Sequence, residues 1–207
     1  AYEPFVFSKA KEKDSKDYYA HAMKYFVIFT LLAFLCVVGY MDILKYIIGA
    51  DYREGLVVVP IVMAAEIMMG IYFNLSFWYK LIDKTVWGAF FSFAGCVVLV
   101  AVNVFFIPQY GYMACAWGGF AGYATAMLLS YIVGQRINPI QYDLKSILSY
   151  VLLAAVLYVA MCCQPETWSC WVRLILNTGL IAIFMIEVVR KDLPLHSLPF
   201  IGKKFQK

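Results

Sequence analysis

Four polar residues sit deep inside stretches that are otherwise apolar: Glu66, Asn74, Asn103 and Asn177, with Asp42 and Glu187 nearer the ends of such stretches. Glu66 carries the most chemistry. It lies roughly 16 Å along the apolar stretch 56–79 at about 1.5 Å per residue, which is the depth of a bilayer midplane. A charge there costs about 2.5 to 3.5 kcal/mol on the insertion scale, and each Leu, Ile, Val or Phe offsets about 0.3 to 0.6, so insertion tolerates it. Glu66, Gly70 and Asn74 recur at i, i+4 and i+8. That spacing puts them on one helix face, a polar, small-residue stripe expected to meet protein or water instead of lipid. Two uses follow. The carboxyl is either a protonatable or cation-linked group in a transport path, or a protonated side chain hydrogen-bonded to a neighbouring helix. For Asn103 and Asn177 hydrogen-bonded glue between helices is the favoured role.

Bond-making chemistry finds no residue set. The chain has no Walker A loop, no Gly-x-Ser-x-Gly elbow, no His-Glu-x-x-His pair and no Asp-x-Asp pattern, so no catalytic residue and no cofactor are expected. His21 and His196 are far apart in polar flanks, and the six cysteines show no metal spacing. Cys36, Cys96, Cys115 and Cys162 lie in or at the ends of apolar stretches, where a thiol acts as a small hydrophobe. Cys163 and Cys170 flank a short loop and would pair only in an oxidising compartment; unpaired thiols are expected.

The elements that must position these residues follow from composition. In 207 residues, 64% hydrophobic and 14% charged excludes a water-soluble globule. Six stretches, 25–48, 56–79, 85–107, 112–133, 147–163 and 168–189, are long and apolar enough to be membrane helices. The expected fold is all-α, a polytopic membrane bundle of six transmembrane helices over residues 25–189. Residues 1–24 are expected to hold the end of a preceding helix and a cytoplasmic loop, and 190–207 a cytoplasmic tail. Lys and Arg fix the orientation, because they are retained on the cytoplasmic side. Lys45, Arg53 and Arg173 fall outside, and the other fourteen of the seventeen fall inside, which puts both ends in the cytoplasm. The net charge of +4 then reports topology, with no nucleic-acid partner needed.

Short connections, at 81–84 and 109–111, favour antiparallel packing of sequence neighbours. Phe77, Trp78, Tyr79 and Trp87 on one side, and Tyr110, Tyr112, Trp168 and Trp171 on the other, form the expected aromatic belts. Gly88, Ser92 and Gly95, and Gly118, Gly119 and Gly122, would let helix backbones approach closely. Pro60 falls in the first turn of its span, where a helix tolerates it, and Lys203-Lys204 could meet anionic headgroups.

The run Val59-Pro60-Ile61-Val62, then Gly70-Ile71-Tyr72-Phe73-Asn74-Leu75-Ser76-Phe77-Trp78-Tyr79 and Lys84-Thr85, resembles the polysaccharide biosynthesis exporters, as does Asn103-Val104-Phe105-Phe106-Ile107-Pro108-Gln109-Tyr110-Gly111-Tyr112 with Ala114-Cys115-Ala116-Trp117. These are lipid-linked oligosaccharide flippases of the multidrug/oligosaccharidyl-lipid/polysaccharide superfamily, and the likeness, over about residues 1–158, is to the Bacteroidetes lipopolysaccharide members. The resemblance implies two six-helix lobes around a central cavity, often with two further helices, and makes this chain the last six of fourteen. It implies a bacterial inner-membrane protein whose partners are an undecaprenyl-pyrophosphate-linked sugar substrate, membrane lipids and an N-terminal lobe absent from this sequence. The chain departs from that pattern in having no Lys or Arg at midplane to grip a pyrophosphate. A drug/cation antiporter of the same superfamily, a membrane-embedded glycan polymerase or ligase, and a structural membrane subunit are the other readings.

Overall fold

A computed structural model describes residues 15–165 and 167–192. Helix α1 (Ser15–Gly39) runs from the basal end of the bundle to the distal end, where a short turn α2 (Met41–Leu44) and a 3-10 segment (Ala50–Val58) lead into α3 (Val59–Leu75). Helix α3 returns to the basal end and is continued by α4 (Phe77–Leu81). Then α5 (Val86–Tyr110), α6 (Tyr112–Ile137), α7 (Leu144–Cys162) and α8 (Cys170–Asp192) alternate in direction. Six helices are long and apolar enough to cross a membrane, Lys16–Gly39, Ala50–Leu81, Val86–Tyr110, Tyr112–Ile137, Leu144–Cys162 and Cys170–Asp192. Large apolar side chains such as Phe29, Phe93, Phe105 and Val156 stand exposed around them, a surface that water would not tolerate and lipid would. The chain is a multi-pass helical membrane protein.

The six spans stand where the apolar stretches put them, but the first is displaced. Helix α1 begins at Ser15 and ends at Gly39 instead of covering 25–48. Lys16, Asp17, His21 and Lys24 can be carried in the basal half of α1 because Asp17 and His21 are exposed and the two lysines keep polar partners. Lys16 Nζ donates to the Pro139 carbonyl at 3.0 Å and Lys24 Nζ to Asp192 at 2.5 Å. The apolar residues Tyr46 and Ile47 fall outside the helix, exposed in the distal loop. Residues 1–14, 166 and 193–207, with His196 and the tail, lie outside the described residues.

Proline sets two helix features. Pro60 occupies the first turn of α3, where its missing N–H costs no bond. Pro108 lies inside α5, which continues to Tyr110 before Gly111, at φ 54°, turns the chain directly into α6. A left-handed backbone of that kind is open to glycine at little cost.

Packing departs from sequence order. Helices α5 and α6 do form the expected hairpin, and it is the most extensive helix pair. A Cβ on Gly95 would fall 2.7 Å from the Gly122 carbonyl oxygen and one on Gly122 would fall 2.8 Å from that of Gly95, so the two backbones touch through their glycines. Gly119 meets nothing within 4 Å and does not share this role. The chief partner of α3 is α6, while α5 reaches α3 through Tyr72, whose hydroxyl donates to the Gly88 carbonyl at 3.0 Å. Helix α8 lies against α1 more than against α7. One core joins Val27, Leu31 and Leu35 of α1 to Tyr150, Leu157 and Phe184 of α7 and α8.

The basal aromatics are a second core and not a belt. Phe77, Trp78 and Tyr79 are buried with Tyr19, Tyr72 and Phe91. Trp78 is 1% exposed, donates from Nε1 to Ser130 Oγ at 3.3 Å, and lies so close to Gly134 that a Cβ there would meet its ring at 2.8 Å. The helix break at Ser76 turns these rings inward, off the lipid face that continuation of a belt requires. At the distal end Tyr110, Tyr112, Trp168 and Trp171 are exposed, as a belt would be.

Candidate functional site

The stripe on α3 is built by its crossing with α1. Phe26 of α1 lies over Gly70 so closely that no Cβ fits between them, which is what brings the two helices together at this point. Four residues on, Asn74 Nδ2 donates back to the Gly70 carbonyl at 3.0 Å. Gly70 and Asn74 open into a cavity of about 820 Å³ between α1 and α3. Its walls are aromatic, from Tyr18, Tyr25, Phe26 and Phe29 on α1, Phe73 on α3 and Phe77 at the start of α4, and His21 joins them near the basal mouth. A cavity of this size, mostly apolar with a few polar groups, suits an amphipathic ligand.

Glu66 continues the same face one turn further from the basal end. It is exposed on the surface of the chain, while the preceding residue, Ala65, is buried. The structure therefore brings Gly70 and Asn74 together on one cavity wall and leaves Glu66 on the outer surface above it. Asn103 and Asn177 are elsewhere and join neither. Asn177 is buried between α8 and α1, donating from Nδ2 to the Gly39 carbonyl at 2.8 Å and accepting from Gln164 Nε2 at 2.7 Å. Asn103 packs on Gly118 of α6, and its Oδ1 is buried with no hydrogen-bond donor among the described residues. It fills the groove that a glycine leaves.

Ionic groups gather at the two ends. At the basal end Lys24, itself buried, bonds Asp192 Oδ1 at 2.5 Å, Tyr150 donates to Asp192 Oδ2 at 2.5 Å, and Asp143 stands 3.9 Å from Lys24. This ties α1, α7 and α8 at one point. Hydrogen bonds from the Ser146 side chain and backbone hold the Asp143 carboxyl below the usual carboxylate range. Burial, reinforced by Tyr131, pushes the Tyr142 hydroxyl up. At the distal end Asp42 pairs with Arg173 and, at 3.1 Å, with Lys45. Glu187 pairs with Lys191 at 2.7 Å. The basal cluster escapes a sequence reading because Lys24, Asp143, Tyr150 and Asp192 are spread over the chain and none belongs to a local motif. Its only signal is a lysine more than two turns inside the first long helix.

Among the described residues no group of three or more His, Cys, Asp or Glu is placed to hold a metal ion, and the six cysteines are unpaired. No family model matches the chain, and neither a curated protein nor a solved structure matches it.

Proposed function

We propose that this chain is part of a flippase that moves an undecaprenyl-pyrophosphate-linked oligosaccharide from the inner to the outer leaflet of a bacterial inner membrane, by alternating access and without bond chemistry. The observation that carries the reading is the aromatic cavity between α1 and α3 with Gly70 and Asn74 in its wall and Glu66 above them. Aromatic faces suit both sugar rings and isoprenoid chains, and the amide and carboxyl supply the few polar contacts that such a path needs. The resemblance of the segments around Pro60, Asn74 and Pro108 to polysaccharide exporters supports it. In this reading the basal end, with most of the Lys and Arg, is cytoplasmic, both ends of the chain lie on that side, and a second lobe closes the path. A Glu66 carboxyl whose partner on that lobe changes between the two states could take up and release a proton through the cycle. Short connections at both ends of the described bundle disfavour a glycan polymerase or ligase, which needs a large external domain for its acceptor.

Complementation tests the reading. The whole gene, expressed in a flippase-deficient strain, should restore surface glycan. Asn74→Leu and Glu66→Gln, present in the membrane at the normal level, should each lower restoration at least tenfold. A normally inserted wild type that restores nothing would sink the flippase reading, and full restoration by Glu66→Gln would remove the coupling role of its carboxyl while leaving the flippase in place.

A further inference from the structure

Glu66 is at the centre of the span Ala50–Leu81 and is exposed on the chain's own surface. Apart from Lys24, which stands more than two turns inside α1 and is tied to Asp192, every described Lys and Arg lies toward an end of its span or in a connection, and no hydrogen bond or ion pair reaches the Glu66 carboxyl among the described residues. Its neighbours on that face are apolar: Val62 one turn before it is 40% exposed, and Phe73 beyond Gly70 is 53% exposed. Apolar side chains alone would leave the face indifferent to lipid or protein. The carboxyl does not, because hydrocarbon offers it neither a donor nor a counter-charge, and ionisable groups at this depth meet protein or water.

We propose that the α3 face carrying Val62, Glu66 and Met69 packs against a further membrane-spanning helix that gives Glu66 a hydrogen-bond donor or cation at mid-depth. Charge complementarity selects that occupant. A lipid chain cannot satisfy the carboxyl, and a second copy of this chain apposed face to face would set one Glu66 against another with no basic group at that level. A mid-depth carboxyl needs such a partner in any membrane assembly, and the flippase reading bears on it only by naming the source of the helix, the second lobe.

Spin labels report the three environments separately. The protein, purified whole, reconstituted in lipid and stripped of other reactive cysteines, is labelled at Val62→Cys or at Met69→Cys with Glu66 intact. Ala65→Cys serves as a reference for a packed site, since Ala65 is 3% exposed. Power-saturation accessibilities to oxygen and to a neutral nickel chelate are then measured. The proposal expects both labels to show low accessibility to both reagents, at the level of the Ala65 site. High oxygen with low nickel accessibility would place the face in lipid and overturn it. High nickel accessibility would also overturn it, because a water-filled path would then face Glu66; that outcome leaves the flippase reading standing, as failed complementation would not. A labelled variant that does not fold is replaced by chemical crosslinking of Val62→Cys with a short bifunctional reagent. There, a crosslink to a membrane helix identified by mass spectrometry supports the proposal, and only lipid adducts refute it.

Discussion

The two ends of the bundle solve the same problem with different materials. Each uses one aspartate to hold two partners, Asp192 with Lys24 and Tyr150 at the basal end, Asp42 with Lys45 and Arg173 at the distal end. At the basal end the side chains of Lys24 and Asp192 are both 11% exposed, and their partner Tyr150 is part of the buried core, in ring contact with Phe184. At the distal end Asp42 and Arg173 are 21% and 23% exposed, Lys45 is 35% exposed, and the residues around Lys45, Tyr46, Ile47 and Tyr52, are open. The difference shows what a salt bridge does in each place. An exposed pair is screened and trades water contacts for little gain. A buried pair contributes little by its formation, yet its loss leaves a charge without a partner where water cannot replace it. The basal end should therefore be the rigid base of the molecule and the distal end its adaptable rim.

The largest test of that contrast is Trp78→Ala. Removing the indole opens a cavity against Gly134 and Phe91 and leaves Ser130, fully buried, without its donor. A loss of about 3 to 5 kcal/mol is expected for a truncation of this kind, read from unfolding in detergent micelles by titration with dodecyl sulfate. Trp171→Ala, at a distal side chain 76% exposed, should change stability little by the same measure. Equal losses at the two tryptophans would show that the basal core is no better packed than the rim.

How much of this was legible in the sequence depends on the range of the interaction. The six spans and their order were legible, because a run of apolar residues long enough to cross a bilayer has few other uses. The exposed aromatics of the distal end, and the presence of glycines that let α5 and α6 approach, were legible for the same local reason; that Gly95 meets Gly122 while Gly119 meets nothing was not. Phe77, Trp78 and Tyr79 were misread as a belt because composition marks an aromatic cluster at the membrane boundary but not the side toward which the helix turns it. The early start of α1 was hidden because Lys16 and Lys24 look like loop residues until Pro139, Asp143 and Asp192 are brought up to them from more than a hundred residues away. In the candidate site, the i, i+4, i+8 stripe on α3 was readable from spacing. That Phe26 caps Gly70, and that the cavity wall includes His21, was not, since both depend on how α1 crosses α3.

A second test compares the two aspartate clusters directly. Lys24→Met keeps the length of the side chain and leaves Asp192 with Tyr150 alone. The expected loss is about 3 kcal/mol, at the lower end for breaking a buried pair because the cluster lies near the basal surface. The double variant Lys24→Met with Asp192→Leu should recover most of it, since both charges are then gone. At the distal end Asp42→Asn should cost less, about 1 to 2 kcal/mol, because Lys45 can turn to water while Arg173, 23% exposed, can do so only in part. A Lys24→Met variant as stable as Asp42→Asn would erase the distinction between base and rim.

The smallest effect concerns Asp143, which marks the edge of the basal cluster. It precedes α7 and accepts from the Ser146 backbone N–H at 3.3 Å, so it serves as the helix cap, while its side chain is 50% exposed and 3.9 Å from Lys24. Asp143→Ala should cost about 0.5 to 1 kcal/mol at pH 7, the lower part of the range for a lost cap. Asp143→Asn keeps the cap and removes only the charge, so at neutral pH it should be nearly silent. Because the folded carboxyl titrates below its unfolded value, which is about 3.9, its stabilising effect is complete above that pH and is lost as pH falls through the lower, folded value. The gap between wild type and Asp143→Asn should accordingly be greatest near neutrality and close as pH falls through the folded value, where the wild-type side chain also loses its charge. A gap at pH 7 as large as that of Lys24→Met would mean that Lys24 takes Asp143 as its true counter-ion. The basal end would then be held by the α6–α7 loop as well as by α8, and the contrast with the distal end would rest on the aromatic core alone.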